Sequence, residues 1–131
     1  MKKLINKLFQ RFRISKRVLV GIDSHSFDEY QKFAVATADP CAKDPLYLAV
    51  GLCEEAGEAG GKVKKTMRDH LGVFDIERRS AIATELGDTL WYLANQAHRM
   101  GFTLSEIAEL NMRKIKGRIE RKTLHGEGDN R

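Results

Sequence analysis

The stretch DPLYLAVGLCEEAGEAGGKVKKTMRD, residues 44–69, decides the fold. Asp44 followed by Pro45 is a helix start. The carboxylate can accept from an unpaired N–H of the first turn, and proline at the first helical position lacks an N–H that would have no partner. The spacing predicts one long helix reaching about Asp69 and closed by His70-Leu71-Gly72. At 100° per residue, Glu54, Glu58, Lys62 and Lys65 stack on one stripe, with Glu55 at its edge. Ala49, Leu52, Ala56, Ala59, Val63 and Met67 form an apolar stripe expected on the other side, facing the core.

The same logic extends to both flanks. A third helix is expected from about Asp75 to Met100, stopping at Gly101. On it Glu85, Asp88 and Tyr92 share a face, separate from the apolar stripe Ile82, Leu86, Leu90, Leu93 and Ala97. Thr103 and Glu106 form a capping box that opens a fourth helix to about Arg121. Upstream, Ser26 and Glu29 repeat that box before a first helix ending near Ala38. Both prolines, Pro40 and Pro45, bracket the break that follows. The one strand candidate, Arg17 to Ile22, is too short and isolated to found a sheet. The fold class is all-α, a bundle of four helices.

Composition sets the remaining bounds. A chain of 131 residues and 14.9 kDa holds one compact domain and a short appendage. With 42% hydrophobic and 31% charged residues it reads as a soluble globular protein, and no apolar run is long enough to cross a membrane. Two cysteines, Cys41 and Cys53, make no disulfide framework, so a reducing, cytoplasmic setting with both thiols in or near the core is expected. Residues 1–20 carry seven basic side chains and no acid, so the net +5 belongs to this arm and the rest is slightly acidic. Leu4, Ile5, Leu8, Phe9 and Phe12 give the arm one apolar helical face. Such a segment suits an anionic membrane or nucleic acid, and equally docking on its own body or on a partner subunit. It lacks the apolar run and cleavage site of a signal peptide. The expected division is a basic arm over 1–22 and a helical domain over 23–131.

The chemistry lies in the acids. Two helices joined by a short connection pack antiparallel, which would let the acid pairs of the second and third helices converge. Two like charges about 4 Å apart repel by roughly 4 kcal/mol at an effective dielectric near 20. Such a cluster either protonates or takes up a cation. All-oxygen ligands favour magnesium, manganese or calcium over zinc, and magnesium completes its shell with water and phosphate oxygens. Acid pairs at i, i+3 are also common on solvated faces, so spacing alone leaves site and solvated surface both open. Gly57, Gly60 and Gly61 inside the helix each cost about 1 kcal/mol relative to alanine, which points to close approach of a backbone or ligand. Other enzyme signatures are missing. Ile22, Met67, Asn95 and Lys122 stand three before the four histidines, so no ExxH di-iron motif exists. Neither a GxxxxGK[ST] loop nor a GxSxG elbow occurs.

Glu54-Glu55-Ala56-Gly57-Glu58, then 26 residues, then Glu85-Leu86-Gly87-Asp88 resembles the paired motif of the MazG-like all-α nucleoside triphosphate pyrophosphohydrolases. Gly51-Leu52, Lys64-Lys65, Leu90-Trp91-Tyr92-Leu93, Leu110-Asn111, Lys114, Arg118 and the closing Gly126 to Arg131 carry the likeness further, and Glu29-Tyr30-Gln31 fits the family's first helix. It covers roughly residues 27–131 and leaves the basic arm outside. The resemblance implies a MazG-like bundle that assembles as a homodimer or homotetramer. It also implies magnesium-dependent cleavage of a nucleoside or deoxynucleoside triphosphate between its α and β phosphates, giving monophosphate and pyrophosphate. The family's metal-binding acids match Glu55, Glu58, Glu85 and Asp88, with manganese as a possible substitute for magnesium.

Chemistry supplies roles for the remaining polar residues. A spare carboxylate, Glu54 or Glu58, could orient or deprotonate the attacking water. Lys62, Lys65, Lys114, Arg118 and Arg121 could hold the triphosphate, and their alternative is a solvated basic face. Asn111 could bind sugar or phosphate. Tyr92 and Trp91 either border a base pocket or belong to the core. Asp129 and Arg131 could close over bound nucleotide. The rival reading is a non-catalytic helical adaptor whose basic arm binds membrane or nucleic acid.

Overall fold

The computed structural model describes residues 26–125. Within them lie four α-helices and no strand: α1 (Phe27–Ala36), α2 (Pro45–Asp69), α3 (Ile76–Arg99) and α4 (Leu104–Glu120), with a 3-10 turn over Cys41–Lys43. The basic arm of residues 1–22, the strand candidate within it and the closing Gly126 to Arg131, including Asp129 and Arg131, lie outside the described residues.

Each start is made by a local cap. The Ser26 hydroxyl accepts from Glu29 N–H, the Asp44 carboxylate accepts from Leu46 N–H ahead of Pro45, and Asp75 accepts from Arg78 N–H. Thr103 and Glu106 complete a reciprocal capping box. The α2–α3 turn needs a left-handed backbone, found at Leu71 (φ 52) and Gly72 (φ 75), and Gly72 N–H returns to Thr66 C=O at 3.2 Å.

The core sits where α1, α3 and α4 meet. Ala34, Ala94, Ala97 and Leu104 are buried there, with Tyr30, Leu90, Trp91, Leu93 and Ile107 packed around them. Such small residues bring backbones close, and a polar pin fixes the junction. The buried Gln31 donates to Ala94 C=O at 3.1 Å and Phe102 C=O at 3.0 Å, and accepts from Leu104 N–H at 3.1 Å. Asn95 donates to Ala34 C=O and Trp91 C=O, and Trp91 Nε1–H donates to the Thr37 hydroxyl. Trp91 is therefore a core residue.

Helix α2 packs along α3, and the buried face differs from the expected one. Its buried positions are Leu48, Gly51, Ala59 and Thr66, with Leu52, Glu55 and Lys62 half-buried between them. Ala49, Ala56, Val63 and Met67 are exposed, as is Leu86 on α3. The seam runs between the acid stripe and the apolar stripe, about a quarter turn from the centre of the latter. Cys53, on the far side of α2 from the seam, and Cys41, in the 3-10 turn, are both free and exposed rather than part of the core.

Candidate active site

Because the seam takes in one edge of the acid stripe, carboxylates from α2 and α3 face one another. One oxygen each from Glu55, Glu58 and Glu85 lies within 4.8 Å of the others. Glu85 is buried, Glu55 half-buried and Glu58 exposed, so the trio opens from the helix seam toward water. Asp88 stands one turn beyond Glu85 and is exposed, outside the trio but close enough for its charge to act on Glu55. Burial first, then the Asp88 charge and the Glu85 carboxylate, push the Glu55 carboxyl above its usual range. Burial and the Glu85 charge do the same to Asp88, against an opposing pull from Lys62. Lys62 Nζ donates to Glu85 Oε1 across the seam.

Aromatic side chains wall one end of this cluster. Gly51 gives Tyr92 its place: a Cβ there would lie 2.2 Å from the Tyr92 ring. The ring stands edge-on to Trp91 at 5.0 Å and tilted against Tyr47 at 6.3 Å. Burial, the Tyr47 hydroxyl and the Glu55 and Glu54 charges push the Tyr92 hydroxyl up to about 12. Tyr30 of α1 reaches the other helix, since burial and the Asp88 charge raise its hydroxyl as well. Tyr47 carries no sequence motif. It could have been found only from its place four residues before Gly51, on a helix that the acids already mark.

The other expected site residues lie outside the trio. Glu54 is exposed and outside the trio, and Lys65 is exposed with its charge felt at Asp69. Asn111 and Lys114 are exposed on α4, Arg118 is buried there, and the Arg121 guanidinium lies over Gly117. Helix α4 packs on α1 and α3. Among the described residues Gly57, Gly60 and Gly61 have nothing within 4 Å of a Cβ built on them, so no backbone approaches there, whereas a close contact within the chain occurs at Gly51.

The donor set suits a hard cation. Its ligands are carboxylate oxygens alone, converging from two helices, and the most buried of them already draws an ammonium onto itself. Residues 43–122 match the profile of the MazG nucleotide pyrophosphohydrolase domain. The chain belongs to that family. A MazG-family chain is a nucleotide pyrophosphohydrolase in general class, and the family is metal-dependent. The Gene 37 protein of Mycobacterium phage L5 is 42% identical over 85 residues, which is 65% of this chain and 75% of that one. No solved structure matches the chain. No helix among the described residues is long and apolar enough to cross a membrane.

Proposed function

We propose that this chain hydrolyses nucleoside or deoxynucleoside triphosphates between the α and β phosphates, releasing monophosphate and pyrophosphate. The observation that carries the reading is the convergence of Glu55, Glu58 and Glu85 in a family that acts on nucleotides. Glu55, Glu58, Glu85 and Asp88 would hold magnesium, with manganese as substitute. When bound, the ion would neutralise phosphate charge and acidify a water.

The chain's own residues do the rest. Phosphoryl transfer asks a protein chiefly for positioning and charge stabilisation. Glu58, at the exposed mouth of the trio, or its neighbour Glu54, orients the attacking water and takes its proton. Lys62 and Lys65 on α2, and Asn111, Lys114, Arg118 and Arg121 on α4, with Asp129 and Arg131 in the closing segment, are assigned to the triphosphate and sugar. Tyr92 borders the base. The chain works in the cytoplasm as a homodimer or homotetramer. In support, Leu46 (76% exposed) and Val50 (68%) extend the uncovered apolar flank of α2.

The test is pyrophosphate release from the natural and several damaged triphosphates with and without magnesium. Glu58→Gln and Asp88→Asn are expected to lower turnover by about 100-fold or more, the scale of losing one positioned group in such a site. Unchanged turnover in both would remove these side chains from the mechanism. Binding of anionic vesicles or DNA with steep salt dependence, without pyrophosphate release from any nucleotide, would instead make the chain an adaptor.

A further inference from the structure

The ammonium of Lys62 holds a carboxylate that the metal reading above gives to an ion. It donates to Glu85 Oε1, and the Glu85 side chain is 10% exposed. A carboxylate so shielded from water requires a positive partner. Glu85 must face the cluster to act as a metal ligand, so an ion there competes with the lysine for the same carboxylate. Lys62 stands one turn beyond Glu58 and two beyond Glu55 on α2, so its stem runs along the seam toward the acids. Its own side chain is 34% exposed. Its flexible four-carbon stem lets the ammonium swing from Glu85 into water.

We propose that Lys62 is the resident counter-ion of the metal-free site: it holds Glu85 until a divalent ion displaces it, and the released ammonium then stands at the rim, ready for a phosphate oxygen. This rests on the metal reading given above. It adds that metal binding and lysine release are one event, so the lysine sets how tightly the metal binds before nucleotide arrives. Coupling of this kind is reciprocal: a phosphate that captures the freed ammonium strengthens metal binding, and the metal strengthens phosphate binding by the same factor.

The test measures manganese affinity of the full chain by calorimetry and by electron paramagnetic resonance, without nucleotide. Lys62→Met is expected to bind manganese about five- to tenfold more tightly than the unaltered chain, the factor contributed by freeing a carboxylate from a largely shielded ion pair. Lys64→Met removes the same charge from an exposed position of the same helix and is expected to stay within about twofold, because solvent and salt screen it. Lys62→Met should also lower the melting temperature of the metal-free protein while leaving that of the magnesium-saturated protein unchanged, which a purely structural ion pair would not do. Lys62→Gln repeats both measurements with a second side chain. Unchanged manganese affinity in the Lys62 variants would overturn the proposal, and so would equal tightening in Lys64→Met. Absence of manganese binding in every form, the unaltered chain included, would overturn the metal reading itself.

Discussion

Gly51 is the position where a single methyl group has most to disturb. A Cβ there would fall 2.2 Å, 2.5 Å and 2.7 Å from three atoms of the Tyr92 ring, which is itself held by Trp91 and Tyr47. Gly51→Ala is expected to cost about 1–3 kcal/mol in urea unfolding, as overpacking of a fitted contact does. Gly60→Ala, with open space around it, should move the other way by about 0.5–1 kcal/mol, because alanine lowers the entropy cost of the helix. The sequence marks Gly60 as a helix-interior glycine that needs a reason, whereas Gly51 enters it only through the family likeness. Only the facing helix decides which of them has one, and that information is not local. The acids were easier to read. Spacing left them open between site and solvated surface, and the family resemblance picked out Glu55, Glu58 and Glu85, whereas the aromatic wall of Tyr47 and Tyr92 is set by register across the seam.

At the scale of elements, helix ends were legible and helix faces were not. Ser26, Asp44-Pro45, Asp75 and Thr103 with Glu106 act through hydrogen bonds within three residues, so each cap is written where it operates. The buried side of α2 depends on how α3 lies against it, and the apolar stripe lost to a seam containing Glu55 and Lys62. Gln31 shows the same dependence, since its three partners lie 63 to 73 residues away. Gln31→Leu should lower stability by about 2–4 kcal/mol in denaturant unfolding, because it strands buried groups on α3 and α4 together. The α1–α4 contact also has an acid limit. Ser105 N–H donates to Asp28 at 3.0 Å, and this bond is the largest cause holding that carboxyl below its usual value of 3.8. A depressed folded-state value stabilises above the unfolded one and is lost as pH falls through the folded one. The junction should therefore loosen below about pH 4, with amide exchange at Ser105 as the probe. Asp28→Asn should flatten that dependence.

Across the whole molecule, the outer flank of the α2–α3 pair, spread over more than one side of α2, is left uncovered by the described residues. Leu46, Val50, Val63, Met67 and Leu86 are all exposed. An assembly that covers this flank should scatter light at two or four times 14.9 kDa at micromolar concentration. Val50→Asp combined with Val63→Asp should return it toward the mass of one chain, and a chain already of single mass would exclude the assembly. Membership of the fold class was plain from helical periodicity alone. This flank was not, because Val63, Met67 and Leu86, which sequence reasoning assigns to a core, are left outside it.

The family match begins at residue 43, past the end of α1. Gln31 and Ala34 nevertheless lie beneath α3 and α4, and Tyr30 sits within reach of the Asp88 charge. Anyone excising the matched segment for a chimera would carry away every acid of the cluster and leave behind the floor on which its second helix rests. The smallest portable unit therefore reaches back at least to Ser26, seventeen residues before the boundary that similarity alone would draw.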